Sequence, residues 1–342
     1  MRRIISFILC AVMLVSALAI VGCGETKALK FGAGSYTTVS ATSATPENEE
    51  TGAAAKNGQG EAVVTAAAVL VDANGKIVKC VIDSMQNKVS YNLMGEAIAN
   101  TEFKTKKEQG DTYNMVGWGG AAKEWYEQVA AFEALVIGKT IDEVKALVVN
   151  GDKGTEEVIN AGCTITIVEF VHAIEKAVAS AKTTNATDVK LGMSTSQTVT
   201  NATPENEETG AAAKDGTNQV ETTIFAAAVD SSGKIVDCAI DCAQVKFTFD
   251  LTGQSTFDAT KEIKTKREQG DAYNMVGWGG AVAEWYTQAD TFAAKCVGKT
   301  GAQVASLMET EGANAGKGTS DIISAGCTIY VNGFVAAAVK IG

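Results

Sequence analysis

Two residue types limit the side-chain chemistry open to this chain: its one histidine, His172, and cysteines whose positions do not fully repeat. The segment TPENEETGAAAK runs from Thr45 to Lys56 and recurs from Thr203 to Lys214, and EQGDTYNMVGWGGA from Glu108 to Ala121 recurs as EQGDAYNMVGWGGA from Glu268 to Ala281. The chain is therefore a tandem duplication of a module of about 160 residues, an ordinary size for one domain. Chemistry that belongs to the module should be present in both copies. His172 has Ala336 as its counterpart, so no shared mechanism runs through it. Serine and cysteine nucleophiles activated by histidine are excluded on that ground, as is a histidine zinc site. Neither a Walker loop nor a dinucleotide glycine fingerprint stands between a strand and a helix.

Eight cysteines invite a redox reading. Cys80, Cys163, Cys238, Cys242, Cys296 and Cys327 lie in the modules, with no Cys-x-x-Cys among them, and Cys242 and Cys296 lack partners in the first copy. Alternation along a strand puts Val236, Cys238, Ile240 and Cys242 on one face, matched by Val78, Cys80 and Ile82. Cys238 and Cys242 would stand about 13 Å apart there, beyond disulfide reach. Most of these thiols read as small buried hydrophobes, and a disulfide framework or metal cluster common to both copies is not expected.

All four tryptophans fall in or beside the repeated block. Trp125 and Trp285 sit on an apolar helical stripe and read as core. Trp118 and Trp278 sit among Gly117, Gly119 and Gly120 and their counterparts, a turn that leads toward a helix N-terminus. With Tyr113 and Tyr273 nearby, these loops are candidates for the rim of a ligand pocket.

The elements that must position such residues read as α+β. Ala62 to Val71 and Ile77 to Asp83 are apolar, β-branched runs around Asp72-Ala73-Asn74-Gly75-Lys76, a hairpin signal repeated at Asp230 to Lys234. A third strand is expected at Lys88 to Leu93, matched at Val245 to Leu251. A helix follows from Ala121 to Ile137 on the stripe Ala122, Trp125, Val129, Phe132 and Val136, stopped by Gly138. Thr140 to Glu143 is a capping box, with Thr300 and Gln303 in the same role. Cys163 to Ile167 alternates like a strand, and Glu169 to Ala181 closes the module as an amphipathic helix. Each module is expected to be an antiparallel sheet, a hairpin plus further strands, covered on one face by helices. Residues 23–44 and 186–202, rich in Thr, Ser, Ala and Gly, read as a tether and a linker, although their mutual echo also fits an edge strand. The modules then span 45–185 and 203–342.

The N-terminus resembles a bacterial lipoprotein signal. Arg2 and Arg3 precede an uncharged run from Ile4 to Gly22 that ends in Ile20-Val21-Gly22-Cys23. The resemblance implies that residues 1–22 are removed and that Cys23 is lipidated, which would place the protein on the extracytoplasmic face of the cell membrane. The net charge is −11, with no basic cluster, so nucleic acid is not an expected partner.

The segments NAGCTITIVEFVHAIEKAV, Asn160 to Val178, and SAGCTIYVNGFVAAAVK, Ser324 to Lys340, resemble the closing segment of FMN-binding domains. In that family an acidic residue precedes Ser-Gly-Ala-Thr, and a flavin transferase attaches FMN to the threonine through a phosphoester. Carried onto this chain, the acceptors are Thr164 and Thr328, with Gly162 and Gly326 before them. The motif differs here in Ala161 and Ala325 for serine, in Cys163 and Cys327 for alanine, and in Glu157 and Asp321, each one residue farther upstream. Nearly all of both modules is also similar to the membrane-anchored lipoproteins called major membrane immunogens. The resemblance implies FMN, covalent or noncovalent, in an electron carrier between a membrane dehydrogenase and an external acceptor, with no catalytic residues of its own. The alternative is a cofactor-free surface lipoprotein that grips a partner or small ligand through the loops of Trp118 and Trp278.

Overall fold

The computed structural model describes residues 28–342 apart from Thr101; the signal-like segment 1–22 and Cys23 lie outside the described residues. Each copy builds a sheet from three long antiparallel strands. The first copy uses β1 (Leu29–Thr42), β2 (Gly58–Val71) and β3 (Ile77–Tyr91), and the second uses β4 (Asp188–Thr200), β5 (Gly216–Val229) and β6 (Ile235–Phe249). The short strands Ala97–Ile98 and Lys182–Thr184 extend the first sheet at its two edges. Helices α1 (Trp125–Val136) and α2 (Val168–Ala179) cover the first sheet, and α3 (Trp285–Cys296) and α4 (Asn332–Ala338) cover the second.

The fold class is thus α+β, two similar antiparallel sheets covered by helices, and three expected details change. Residues 29–42 and 188–200 are not tether and linker but, as their mutual echo allowed, strands: each forms the first strand of its sheet, so the modules begin earlier than 45 and 203 and meet near Ala186. Their small residues are required by packing. A Cβ on Gly32 would lie 1.9 Å from the carbonyl oxygen of Ala177, and one on Gly192 2.1 Å from that of Ala337, because α2 and α4 rest directly on strand backbone. The strands expected at Ile77–Asp83 and Lys88–Leu93 form one continuous strand, β3, and β6 merges their counterparts in the same way.

The third change is a β-bulge opposite Val71 and at Ile235, where the chain leaves the hairpin turn. It reverses the facing of Val78 and Val236. These two pack between the sheets, while Cys80, Ile82, Cys238, Ile240 and Cys242 face the helices.

Both faces of each sheet are buried. Ala67, Val69 and Val71 pack under α1 and α2, whereas Ala66, Ala68 and Leu70 on the opposite face pack against Ile224, Ala226 and Ala228 of the second sheet. The unbroken apolar runs of β2 and β5 follow from this, since a strand covered on both sides has no polar alternation to show. The result is four layers: helices, sheet, sheet, helices.

The two halves exchange equivalent contacts. Ala44 N–H donates to Gly253 O and Ala202 N–H to Gly95 O, each at 2.8 Å. Lys176 pairs with Glu268, and Lys340 pairs with Glu108 at 2.7 Å. Tyr91 and Phe249 stack with centroids 4.3 Å apart.

Candidate functional site

The threonine expected to carry a cofactor lies in a turn, not in a strand. Residues 163–167 link the short helix Glu156–Ala161 to α2, and the alternation of Cys163, Ile165 and Ile167 with the threonines arises without a ladder. Gly162 takes φ 104° and Gly326 φ 106°, a left-handed geometry that favours glycine. Cys163 and Ile167 are buried and pin the turn at both ends. Between them the Thr164 backbone N–H is bonded to a side chain: Thr164 N–H and Oγ1–H both donate to Gln128 Oε1, at 2.8 and 2.9 Å. The second copy reproduces this, with Thr328 N–H and Oγ1–H donating to Gln288 Oε1 at 2.8 and 3.1 Å.

Gln128 and Gln288 escaped the sequence reading. Both are fully buried on α1 and α3, and their Nε2 atoms donate to the carbonyls of Lys123 and Ala283 at 2.9 and 2.8 Å. Each glutamine is therefore fixed at both ends and presents one oxygen to its threonine. The available signal was a glutamine retained in both copies inside an apolar helical stripe. Thr164 is exposed and Thr328 half-buried.

Thr164 borders a cleft of about 490 Å³ shared with Asn150, Lys153, Thr155 and Cys163. In the second copy the residues just after Thr328 enter a different cavity of about 440 Å³. Ile329 and Phe334 form part of its wall, together with Tyr273, Trp285, Cys242 and Lys266. Tyr273 Oη–H donates to Gln244 Oε1 at 3.0 Å, and Tyr113 Oη–H donates to Gln86 Oε1 at 3.1 Å.

Lysine completes this second cavity. Lys266 Nζ lies 5.2 Å from the Tyr273 ring centroid and 5.7 Å from that of Trp285, and donates to Glu221 Oε2 at 2.9 Å. Burial opposes its charge, but Cys242 and Glu221 outweigh that and hold its pKa above the usual lysine value. Its counterpart Lys106 keeps the aromatic neighbours, at 5.2 Å from Tyr113 and 5.3 Å from Trp125. There burial dominates and lowers the pKa, against the pull of Glu169, Glu61 and Asp83. The two copies share a frame and differ in its electrostatics.

Trp118 and Trp278 do not join the tyrosines in a cavity. Each is 90% exposed at the tip of its loop, while Tyr113 and Tyr273 pack against the core. The loops are nonetheless held firmly. Glu124 accepts from Met115 N–H and Val116 N–H at 2.8 and 3.1 Å, and Glu284 does the same for Met275 and Val276. Asn114 and Asn274 open the loops in left-handed conformation. His172, set aside on sequence grounds, is half-buried, with its ring centroid 4.6 Å from that of Tyr36.

With this geometry in place, a curated relative bears on function. The likeness is partial. A protein named chlorophenol reductase, from Desulfitobacterium hafniense, is 34% identical to this chain over 95 residues, 24% of the chain. The match spans 29% of that protein's length. No protein-family model matches the chain, and no solved structure does. The relative's name denotes redox chemistry. Among the described residues no helix is long and apolar enough to cross a membrane, and no cluster of three or more His, Cys, Asp or Glu could hold a metal ion.

Proposed function

We propose that the protein is a two-module flavin carrier, tethered through Cys23 to the extracytoplasmic face of a membrane, that passes electrons between a membrane dehydrogenase and an external acceptor. The observation that carries this reading is the Gly-Cys-Thr turn, built twice with its threonine hydroxyl held by a buried glutamine. Because each hydroxyl hydrogen is directed at Gln Oε1, the oxygen lone pairs are left free for a phosphoryl group. Esterification by a flavin transferase would remove one bond to the glutamine and keep the one from the backbone N–H.

In the second module the residues that follow Thr328 border a cavity that fits such a group. A cavity of about 440 Å³ falls in the range of about 300–1,000 Å³ usual for small-ligand sites. Tyr273, Trp285 and Phe334 offer the aromatic walls that a flat ring system needs. Lys266 would favour negative charge on a ring edge and so support its reduced form. FMN, when bound, supplies the electron transfer; the protein supplies position, shielding from water and local charge. The redox name of the partial relative supports the same class of chemistry.

The test is the absorbance and intact mass of protein extracted from its native membrane, followed by peptide mapping. Flavin absorbance with a mass increase on the peptides of Thr164 and Thr328 is expected. Thr328→Val should leave one flavin per chain, and the double variant with Thr164→Val should leave none. A colourless, unmodified chain from cells that flavinylate other proteins would overturn the proposal.

A second reading rests on the exposure of Trp118 and Trp278 on firmly held loops: a cofactor-free lipoprotein that grips a partner or small ligand. Alanine at both positions would then abolish partner binding in a chain that carries no flavin at any stage.

A further inference from the structure

The second module holds a thiol pair that the first module lacks. Cys238 on β6 and Cys296 on α3 both stand over one turn of that helix. Cys238 Sγ lies 3.4 Å from Ala293 O, and Cys296 Sγ lies 3.5 Å from Phe292 O, so the two sulfurs sit beside consecutive carbonyls. Cys296 belongs to the core cluster of the second module, and Cys238 packs against that same cluster. In the first module Cys80 occupies the place of Cys238, and Val136 occupies that of Cys296.

Access is unequal. Cys296 is fully buried, whereas Cys238 is half-buried and lines the floor of a crevice of about 700 Å³ between the modules, beside Arg267, Asp290, Lys182 and Val297. This is the arrangement of an attacking thiol with a resolving thiol behind it.

We propose that Cys238 and Cys296 form a reversible dithiol–disulfide centre, oxidised by a small disulfide that enters the inter-module crevice. The deprotonated sulfur of Cys238 attacks one sulfur of the small disulfide and expels the other half as a thiolate. Cys296, deprotonated, then attacks the Cys238 side of the mixed disulfide and expels the second thiolate. Across both steps the protein loses two protons and two electrons, and the small disulfide gains them as two thiols. The product ties β6 to the last turn of α3. The neighbouring Cys296 thiol and then burial hold the Cys238 pKa well above the usual thiol value, so exchange at neutral pH is slow.

The experiment treats the folded full chain with oxidised glutathione, then blocks remaining thiols in denaturant and maps the peptides without reduction. The expected result is a stoichiometric link between Cys238 and Cys296, reversed by a phosphine reductant, with Cys80, Cys163, Cys242 and Cys327 still open to alkylation. Cys296→Val, which installs the first module's residue, should instead accumulate a single glutathione adduct at Cys238. A wild-type chain that keeps both thiols, retains the adduct at Cys238, or links through another cysteine would overturn the proposal.

Discussion

At the scale of single residues, the buried glutamines decide whether the threonine turn keeps its shape. Gln128 Oε1 accepts both from the Thr164 N–H and from its hydroxyl, so removing it leaves donors without their partner in a part-buried turn. A lost buried hydrogen-bond partner costs about 1–3 kcal/mol. Gln128→Ala and Gln288→Ala should each lower unfolding free energy by that amount in denaturant titration, and flavin content, where present, should fall with them. Thr164→Val removes the hydroxyl but keeps the N–H bond and should cost less. Asp241 makes a different residue-level statement. Burial raises its pKa to about 6, against the hydrogen bonds it accepts from Thr265, Cys242 N–H and Arg267 N–H. An unfolded aspartate titrates near 3.9. Between these values the folded chain binds a proton that the unfolded chain has lost, so this contribution is greatest below about pH 4 and is lost as pH rises through about 6. Chemical denaturation across that window should show stability falling with pH, and Asp241→Asn should flatten the slope, with a residue left by Asp83, which burial also raises.

At the scale of elements, close contact between helix and strand explains both the packing and what the sequence concealed. The hairpin at Asp72 to Lys76 was legible because its Asp and Gly have local reasons to be there: Asp72 Oδ1 accepts from Asn74 N–H and Lys76 N–H, and Gly75 takes φ 76°. The helix bearing Trp125, Val129, Phe132 and Val136 was legible from its spacing, and all four residues are buried, but it begins at Trp125 and not at Ala121, and Ala122, expected on the same stripe, is exposed. The first strand of each sheet was legible only as an alternative to a tether or linker, through the echo between the two copies, because α2 and α4 demand that it be small. Strands made of Gly, Ser and Thr look like linkers until the helix lying on them is known. The turn at Thr164 misled for the opposite reason: buried Cys163 and Ile167 imitate alternation while a side chain replaces the ladder. The closeness can be measured. Gly32→Ala should push α2 off β1 and cost at least the 1–3 kcal/mol typical of overpacking. Gly119→Ala, where an added Cβ meets no atom within 4 Å, should leave the unfolding midpoint unchanged.

At the scale of the molecule, the duplication has produced an internal dimer whose halves present the same surface to one another, as in an isologous interface. Sequence could reveal the copies and could not reveal their stacking, since apolar residues on the second face of β2 and β5 serve equally well for any cover. The cover is now identified: Phe31, Ala68 and Leu70 meet Val189, Ala226 and Ala228, and Tyr91 meets Phe249. Asn87 Nδ2–H also crosses the seam to Thr222 Oγ1 at 2.8 Å, a bond that is buried and cannot be replaced by water without opening the interface. Two consequences follow for behaviour in solution. The chain should unfold in a single cooperative transition, with tryptophan fluorescence and backbone signals coincident, because loss of either half exposes the apolar inner face of the other sheet to water. Fragments 28–185 and 186–342, expressed separately, should each expose the apolar inner face of a sheet and self-associate. Mixed at equal concentration they should combine into one species with the summed mass of the two fragments on analytical ultracentrifugation. Two independent monomers that stay apart on mixing would mean that each inner face is satisfied without the other, and the four-layer packing would then have no energetic role.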